Sequence, residues 1–208
     1  MIYEVNIPKG WHEVSLKKFE ELSTVIDKSS GNPYEITART IAVLTGLDYE
    51  TIRKWPVSVL NSTELAESLR FVTTEPKKRM PDDTVIMGGK MYKVFLYPQK
   101  WTAGQWLDYT SVMKDENTNA KLARIIACFV VPKGCEYGEG YEYDDVVKAI
   151  NENIDIETAL GMAGFFQLEF SAFVKALLAY SERKTKRLKR SIRKQENRSS
   201  KKLKKSRG

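Results

Sequence analysis

The chain has 208 residues, with 34 Lys and Arg against 27 Asp and Glu and a formal net charge of +7. Residues 181–208 hold 14 Lys/Arg against Glu182 and Glu196, a net of +12, and taking +12 from +7 leaves −5 for residues 1–180. This is a mildly acidic body with a basic tail, not a basic protein, and two cysteines imply no disulfide framework.

A body of 180 residues suffices for one domain with a sizeable core or for two small lobes. "MIYEVNIPKGW" lacks the basic and apolar regions of a secretory signal, so none is expected. Alternation of Tyr3, Val5 and Ile7 predicts a strand over residues 2–7, closed by Pro8. A helix is predicted from Ser15, with Leu16, Phe19, Leu22, Val25 and Ile26 on one face. Asn32 and Pro33 form a cap and first-turn pair for a second helix that stops at Gly46. Asp48 opens a short helix, and "NSTE" at 61–64 has the capping-box pattern for a helix carrying Leu65, Leu69 and Val72.

The texture then changes. In an insertion at about 76–98, "PKKRMPDD" reads as a loop and Gly88–Gly89 marks a hairpin over residues 84–97. Thr102 and Gln105 supply another capping-box pattern, before Trp106, Leu107 and Met113. Lys121 to Val131 is strongly apolar and ends at Pro132-Lys133-Gly134. The loop "CEYGEGYEYDD" leads into a short helix around Val146 and Ile150. A last helix is predicted from Asp155 to about Gln195, some forty residues or roughly 60 Å, with disorder beyond. Residues 159–180 are long enough to span a bilayer, but Gln167, Glu169 and Lys175 interrupt them in three directions, so no membrane span is expected. The fold class is α+β, predominantly α-helical, with a small β element and a long C-terminal helix running into the basic tail. The domain division is 1–180 and 181–208.

Catalytic chemistry finds few carriers. His12 is the single histidine and stands beside Trp11 in a predicted loop, as a surface or capping residue would. Cys128 lies in "IIACFVV", the setting of a small buried thiol. No phosphate-cradling glycine motif or zinc spacing occurs, so no cofactor, metal or catalytic residue is assigned. The acidic loop, with Glu136, Glu139, Glu142, Asp144 and Asp145, does not match a calcium loop. Tyr137, Tyr141 and Tyr143 alternate with the acids as on an exposed loop. This reads as a solvated acidic face for a basic partner, with a neighbouring subunit's tail among the options. An enzyme is not expected.

The tail suits a polyanion. Arg183, Lys184, Lys186, Arg187, Lys189, Arg190, Arg193, Lys194, Lys201, Lys202, Lys204 and Lys205 are the assigned nucleic-acid contacts. No aromatic residue follows Tyr180, so binding should go to the backbone without sequence preference. A solubilising tail and a basic import address remain open.

Read in order, "WHEVSLKKFEEL", "IAVLTGLDYETIRKWPVSVLNSTELAESLRFV", "WTAGQWLDYTSV" and "LARIIACFVVPKGCEYGEGYEYDDVVKAI" running on to "ALGMAGFFQLEF" resemble small virion-associated proteins of crAss-like tailed bacteriophages. More loosely, they are similar to helical tail-assembly-chaperone-like proteins. The turn containing "PKGCEYGEGY" is the most particular element. The resemblance implies a structural or cargo component near portal or tail, carried in the virion in multiple copies and released with the genome. Phage portal and tail proteins and packaged DNA are its expected partners. Trp11, Trp55, Trp101 and Trp106 are then candidate interface anchors, Trp101 and Trp106 foremost, against ordinary core packing as the alternative. A soluble assembly chaperone and a sequence-nonspecific nucleic-acid-binding accessory protein are the competing expectations.

Overall fold

The computed structural model describes residues 5–28, 32–80, 82–116, 120–168, 171 and 175. The chain divides into two units, Met1–Phe166 and Gln167–Gly208. In the second, residues 167, 168, 171 and 175 are helical, and Ser171 Oγ donates to Gln167 O at 2.8 Å. The first unit is α+β and predominantly helical, with one three-stranded antiparallel sheet among the described residues.

Its N-terminal half is a set of short helices whose ends are written in capping residues. α1 (Leu16–Lys28) packs on α2 (Pro33–Thr45), which starts where the Asn32 side chain accepts from Tyr34 N and stops at Gly46. Gly46 sits at φ 75°, a left-handed conformation that glycine adopts without a Cβ penalty, and its N–H returns to Ala42 O at 2.8 Å. Asp48 caps α3 (Tyr49–Ile52), α4 (Val57–Leu60) follows Pro56, and Ser62 caps α5 (Thr63–Leu69) by accepting from Leu65 N. The "NSTE" cap is thus one-sided, because the third helical position is Leu65, which has no side-chain acceptor to return. Ala38, Ile41, Ile52 and Trp55 form the core here, and Tyr49, Leu60, Leu65 and Leu69 close it.

The C-terminal half is built round the sheet. β1 (Thr84–Met87) pairs with β2 (Lys90–Val94) across Gly88–Gly89, and β2 pairs with β3 (Val130–Pro132). Tyr92 and Val94 face inward while Lys93 stays in water, the alternation of a sheet with one covered face. α6 (Ala103–Lys114), α7 (Lys121–Ala127) and α8 (Tyr143–Asn153) pack in sequence, and α8 touches both outer strands. α9 starts at residue 156 and reaches Phe166, the end of the unit; the Asp155 carboxylate accepts from Thr158 N at 3.0 Å.

Two long-range devices join the halves. Leu16 N donates to Ile154 O and Ile156 N to Val14 O, each at 2.9 Å, a short antiparallel bridge around Ser15 and Asp155. The basic segment before the hairpin lies along α9. Arg79 N donates to Glu157 O at 3.0 Å, and the Arg79 guanidinium reaches Thr158 Oγ1 at 3.0 Å and Asp155 Oδ2 at 3.3 Å.

The described part of the predicted N-terminal strand, residues 5–7, carries no strand, while residues 2–4 lie outside the described residues. The third strand comes instead from the apolar run after Lys121, which divides into α7 and β3. A fully buried run has no period by which to tell helix from strand, and pairing with β2 decides it. The predicted helix beyond 175 and the basic tail lie outside the described residues. Among the described residues no helix is long and apolar enough to cross a membrane.

Both partners of the Thr102–Gln105 capping box are made: Gln105 N donates to Thr102 Oγ1 at 3.2 Å and Thr102 N to Gln105 Oε1 at 3.0 Å. Gln105 is 2% exposed because its amide also donates to Cys128 O at 3.0 Å, tying the start of α6 to the end of α7. Gln105→Met keeps the length of the side chain but strips these bonds and leaves a buried carbonyl unpaired. Urea denaturation is expected to show a loss of about 2 kcal/mol.

Candidate functional site

The segment between β3 and α8 folds back on α6 and α7. Gly134, Gly138 and Gly140 take φ of 94°, 80° and 79°, so the chain reverses repeatedly within a few residues. Cys135 N donates to Pro132 O and Glu139 N to Glu136 O, and a short bridge joins Glu136 and Glu139. The Tyr137 ring packs beside Gly104 in the first turn of α6.

These reversals place Tyr137, Tyr141 and Tyr143 in the wall of one pocket of about 440 Å³, with Asp108, Ser111 and Val112 of α6, Arg124 of α7, Gly138 and Glu142. Tyr137 donates its hydroxyl to Asp108 Oδ2 at 2.8 Å, and Tyr143 to Arg124 O at 2.6 Å. The Tyr141 hydroxyl accepts from Gly138 N at 3.3 Å. The Arg124 guanidinium is held by Asp115 Oδ2 at 2.7 Å, which neutralises the one cation of the wall. Asp108 keeps its second oxygen without a hydrogen bond among the described residues, and the Glu142 carboxylate does not cap the helix it precedes.

Burial governs the acidities. It pushes the Cys128 thiol up to about 11, against a smaller opposing effect of its contact with the Tyr143 hydroxyl at 3.6 Å. Burial also raises the Tyr137 and Tyr143 phenols, and the hydrogen bond to Asp108 raises Tyr137 further because the neutral phenol is the donor. Near neutral pH these groups are protonated; Cys128 lies in the core behind the pocket, and the Tyr137 and Tyr143 phenols give the pocket hydrogen bonds and ring faces.

The predicted partner-binding residues separate here. Glu142 enters the pocket wall, whereas Glu136, Glu139, Asp144 and Asp145 are exposed outside it, the last two in the first turn of α8. The tyrosines are not on an exposed loop as their alternation with acids suggested: each is partly buried, because the glycine reversals turn phenols toward α6 and acids toward water. Trp101 is partly buried in an aromatic stack with Phe166 and Phe129 and donates its indole N–H to Phe95 O at 2.6 Å. Trp106 is partly buried on α6, beside the exposed Leu107 and near the exposed Met113. Trp11 and Trp55 are buried core residues. The basic residues from Arg183 to Lys205 lie outside the described residues.

Sequence reading missed Asp108, Ser111, Val112 and Arg124. The first three share one face of α6 at spacings of three and four, a signal present in the sequence but without meaning until the loop packs there. Among the described residues no group of three His, Cys, Asp or Glu is placed to hold a metal ion. No protein-family model matches the chain, and no curated protein or solved structure matches it.

Proposed function

We propose that the protein is a non-enzymatic structural or cargo component of a tailed-phage virion, made in the host cytoplasm and seated near portal or tail. The observation that carries this reading is the charge division, −5 on residues 1–180 against +12 on residues 181–208. Such a chain docks its body on protein neighbours and gives its basic segment to packaged DNA or to an acidic lumen. The resemblance of residues 11–180 to virion proteins of crAss-like phages supplies the setting. Support for a non-enzymatic role comes from the pocket, whose Tyr137 and Tyr143 phenols are held protonated by burial. Leu107 and Met113, 65% and 48% exposed on α6, add apolar surface of the kind that protein neighbours cover.

A mass-spectrometric inventory of purified particles tests the reading: the protein should appear at a fixed copy number. Presence in infected-cell lysate but absence from particles would favour an assembly chaperone instead. The basic segment gives a second measurement. Duplex DNA binding should be independent of sequence and fall with salt at a log–log slope of about −0.9 per phosphate contact. Deleting residues 181–208 should abolish it, and persistence of binding in the deleted chain would refute the assignment of those residues.

A further inference from the structure

We propose that the tyrosine pocket receives the guanidinium or ammonium head of a basic residue supplied by the 181–208 segment of a second copy of the chain. This deepens the assembly reading above and rests on it. The pocket, about 440 Å³, falls in the size range of sites for small groups, about 300–1,000 Å³. Its chemistry selects the sign of the occupant. Asp108 and Glu142 line it as solvent-exposed side chains, and the Glu142 carboxylate and the second oxygen of Asp108 have no hydrogen-bond partner among the described residues, while Arg124 is already matched by Asp115. An anion would meet two carboxylates. An apolar group would strip water from both without replacing its hydrogen bonds. A cationic head satisfies them and lies against tyrosine rings, whose faces attract positive charge.

The walls are set before any ligand arrives. The Tyr137 hydroxyl is fixed on Asp108 and the Tyr143 hydroxyl on the Arg124 carbonyl, so two rings keep their positions without further ordering. Tyr141, tied more weakly through Gly138 N at 3.3 Å, completes the wall beside Glu142. The chain itself supplies the complementary chemistry: 14 Lys/Arg in residues 181–208, against a net charge of −5 on residues 1–180. Repeated between copies, such a contact links subunits through one ordered side chain each, and the other basic residues remain for a polyanion.

The experiment mixes isotope-labelled and unlabelled full-length chains, joins them with a zero-length carbodiimide reagent, and maps mixed-isotope cross-links by mass spectrometry. Links from Asp108 or Glu142 to lysines of the 181–208 segment are expected. Sedimentation velocity gives the affinity. Asp108→Asn with Glu142→Gln keeps an acceptor for Tyr137 and should raise the concentration for self-association about tenfold. Tyr141→Leu keeps an apolar wall without the ring and should raise it several-fold, roughly as loss of one cation–π contact. Glu64→Gln with Glu67→Gln, the same charge change on exposed sites of α5, should leave it within about twofold, as expected of surface charges outside the site. A wild-type chain that stays monomeric, or equal losses in the α5 variant and the pocket variant, would overturn the proposal. Circular dichroism melts verify that each variant is folded. Particle incorporation is scored separately, so a virion protein with an empty pocket and a self-associating protein outside virions are distinguishable results.

Discussion

Gly161→Ala is expected to lose about 3 kcal/mol of stability, or roughly 6–12 °C in melting temperature for a domain of this size. A Cβ added at Gly161 would fall within the carbonyl group of Arg79. The obstacle is backbone, so no rotamer change relieves it. Residues 77–79 are held on Glu157, one helical turn before Gly161, by Lys77 N on Glu157 Oε1 at 3.1 Å and by Arg79 N on Glu157 O at 3.0 Å. To admit the methyl group, the segment must lift from α9 and give up these bonds. Gly164→Ala provides the contrast. There a Cβ meets only the Lys78 side chain at 3.6 Å, an ordinary contact with a flexible group. Alanine at 164 should be neutral or stabilising by about 0.5–1 kcal/mol, since glycine is the poorer residue inside a helix. Thermal melts of the two variants decide the matter; equal stability would mean that the basic segment does not cross α9 at Gly161.

Phe166→Ala should cost about 3–5 kcal/mol in urea or thermal denaturation, the range for emptying a buried aromatic site. Phe166 is 1% exposed and central to the aromatic cluster. Its ring stacks on Trp101 at 4.5 Å with planes 3° apart and on Phe129 at 5.1 Å, while Tyr109 meets it edge-on at 4.8 Å. These four rings join the segment before α6, α6 itself, the turn before β3, and α9. Phe166→Leu refills most of the volume without the ring and should cost only about 1–1.5 kcal/mol. The same cluster bears on Trp101 as a candidate anchor. Near-ultraviolet circular dichroism should lose part of its tryptophan signal in Phe166→Ala, because Trp101 loses its nearer stacking ring at 4.5 Å and keeps only the Phe129 stack at 6.0 Å. An unchanged spectrum and melt would show that the cluster contributes little.

Local signals in the sequence proved sufficient wherever the determinant is a few adjacent residues. Asn32 with Pro33, Gly46, Asp48, Thr102 with Gln105, Gly88–Gly89 and Asp155 each stand where the chain starts, stops or reverses an element. They act through hydrogen bonds and backbone sterics spanning at most four residues, so no distant partner is needed to read them. The predominance of helix, the small β element and the burial of Cys128 were legible for the same reason.

Contacts between distant segments were not. β3 hides in an apolar run because its strand character depends on β2, some forty residues earlier in the chain. The pocket was half visible: the acidic loop and its glycines stood out, but the inward turn of Tyr137, Tyr141 and Tyr143 depends on α6 and α7 being there to receive them. The sequence by itself determined the capped helix ends, the hairpin turn and the division of charge between body and tail, since these follow from near neighbours and from simple counts; the hairpin strands end at Val94 rather than 97. Only the tertiary structure decided which strand completes the sheet, why residue 161 must be glycine, and which carboxylates of the acidic region face a cavity. Each of those depends on the packing of segments that the chain separates by dozens of residues, where no local preference operates.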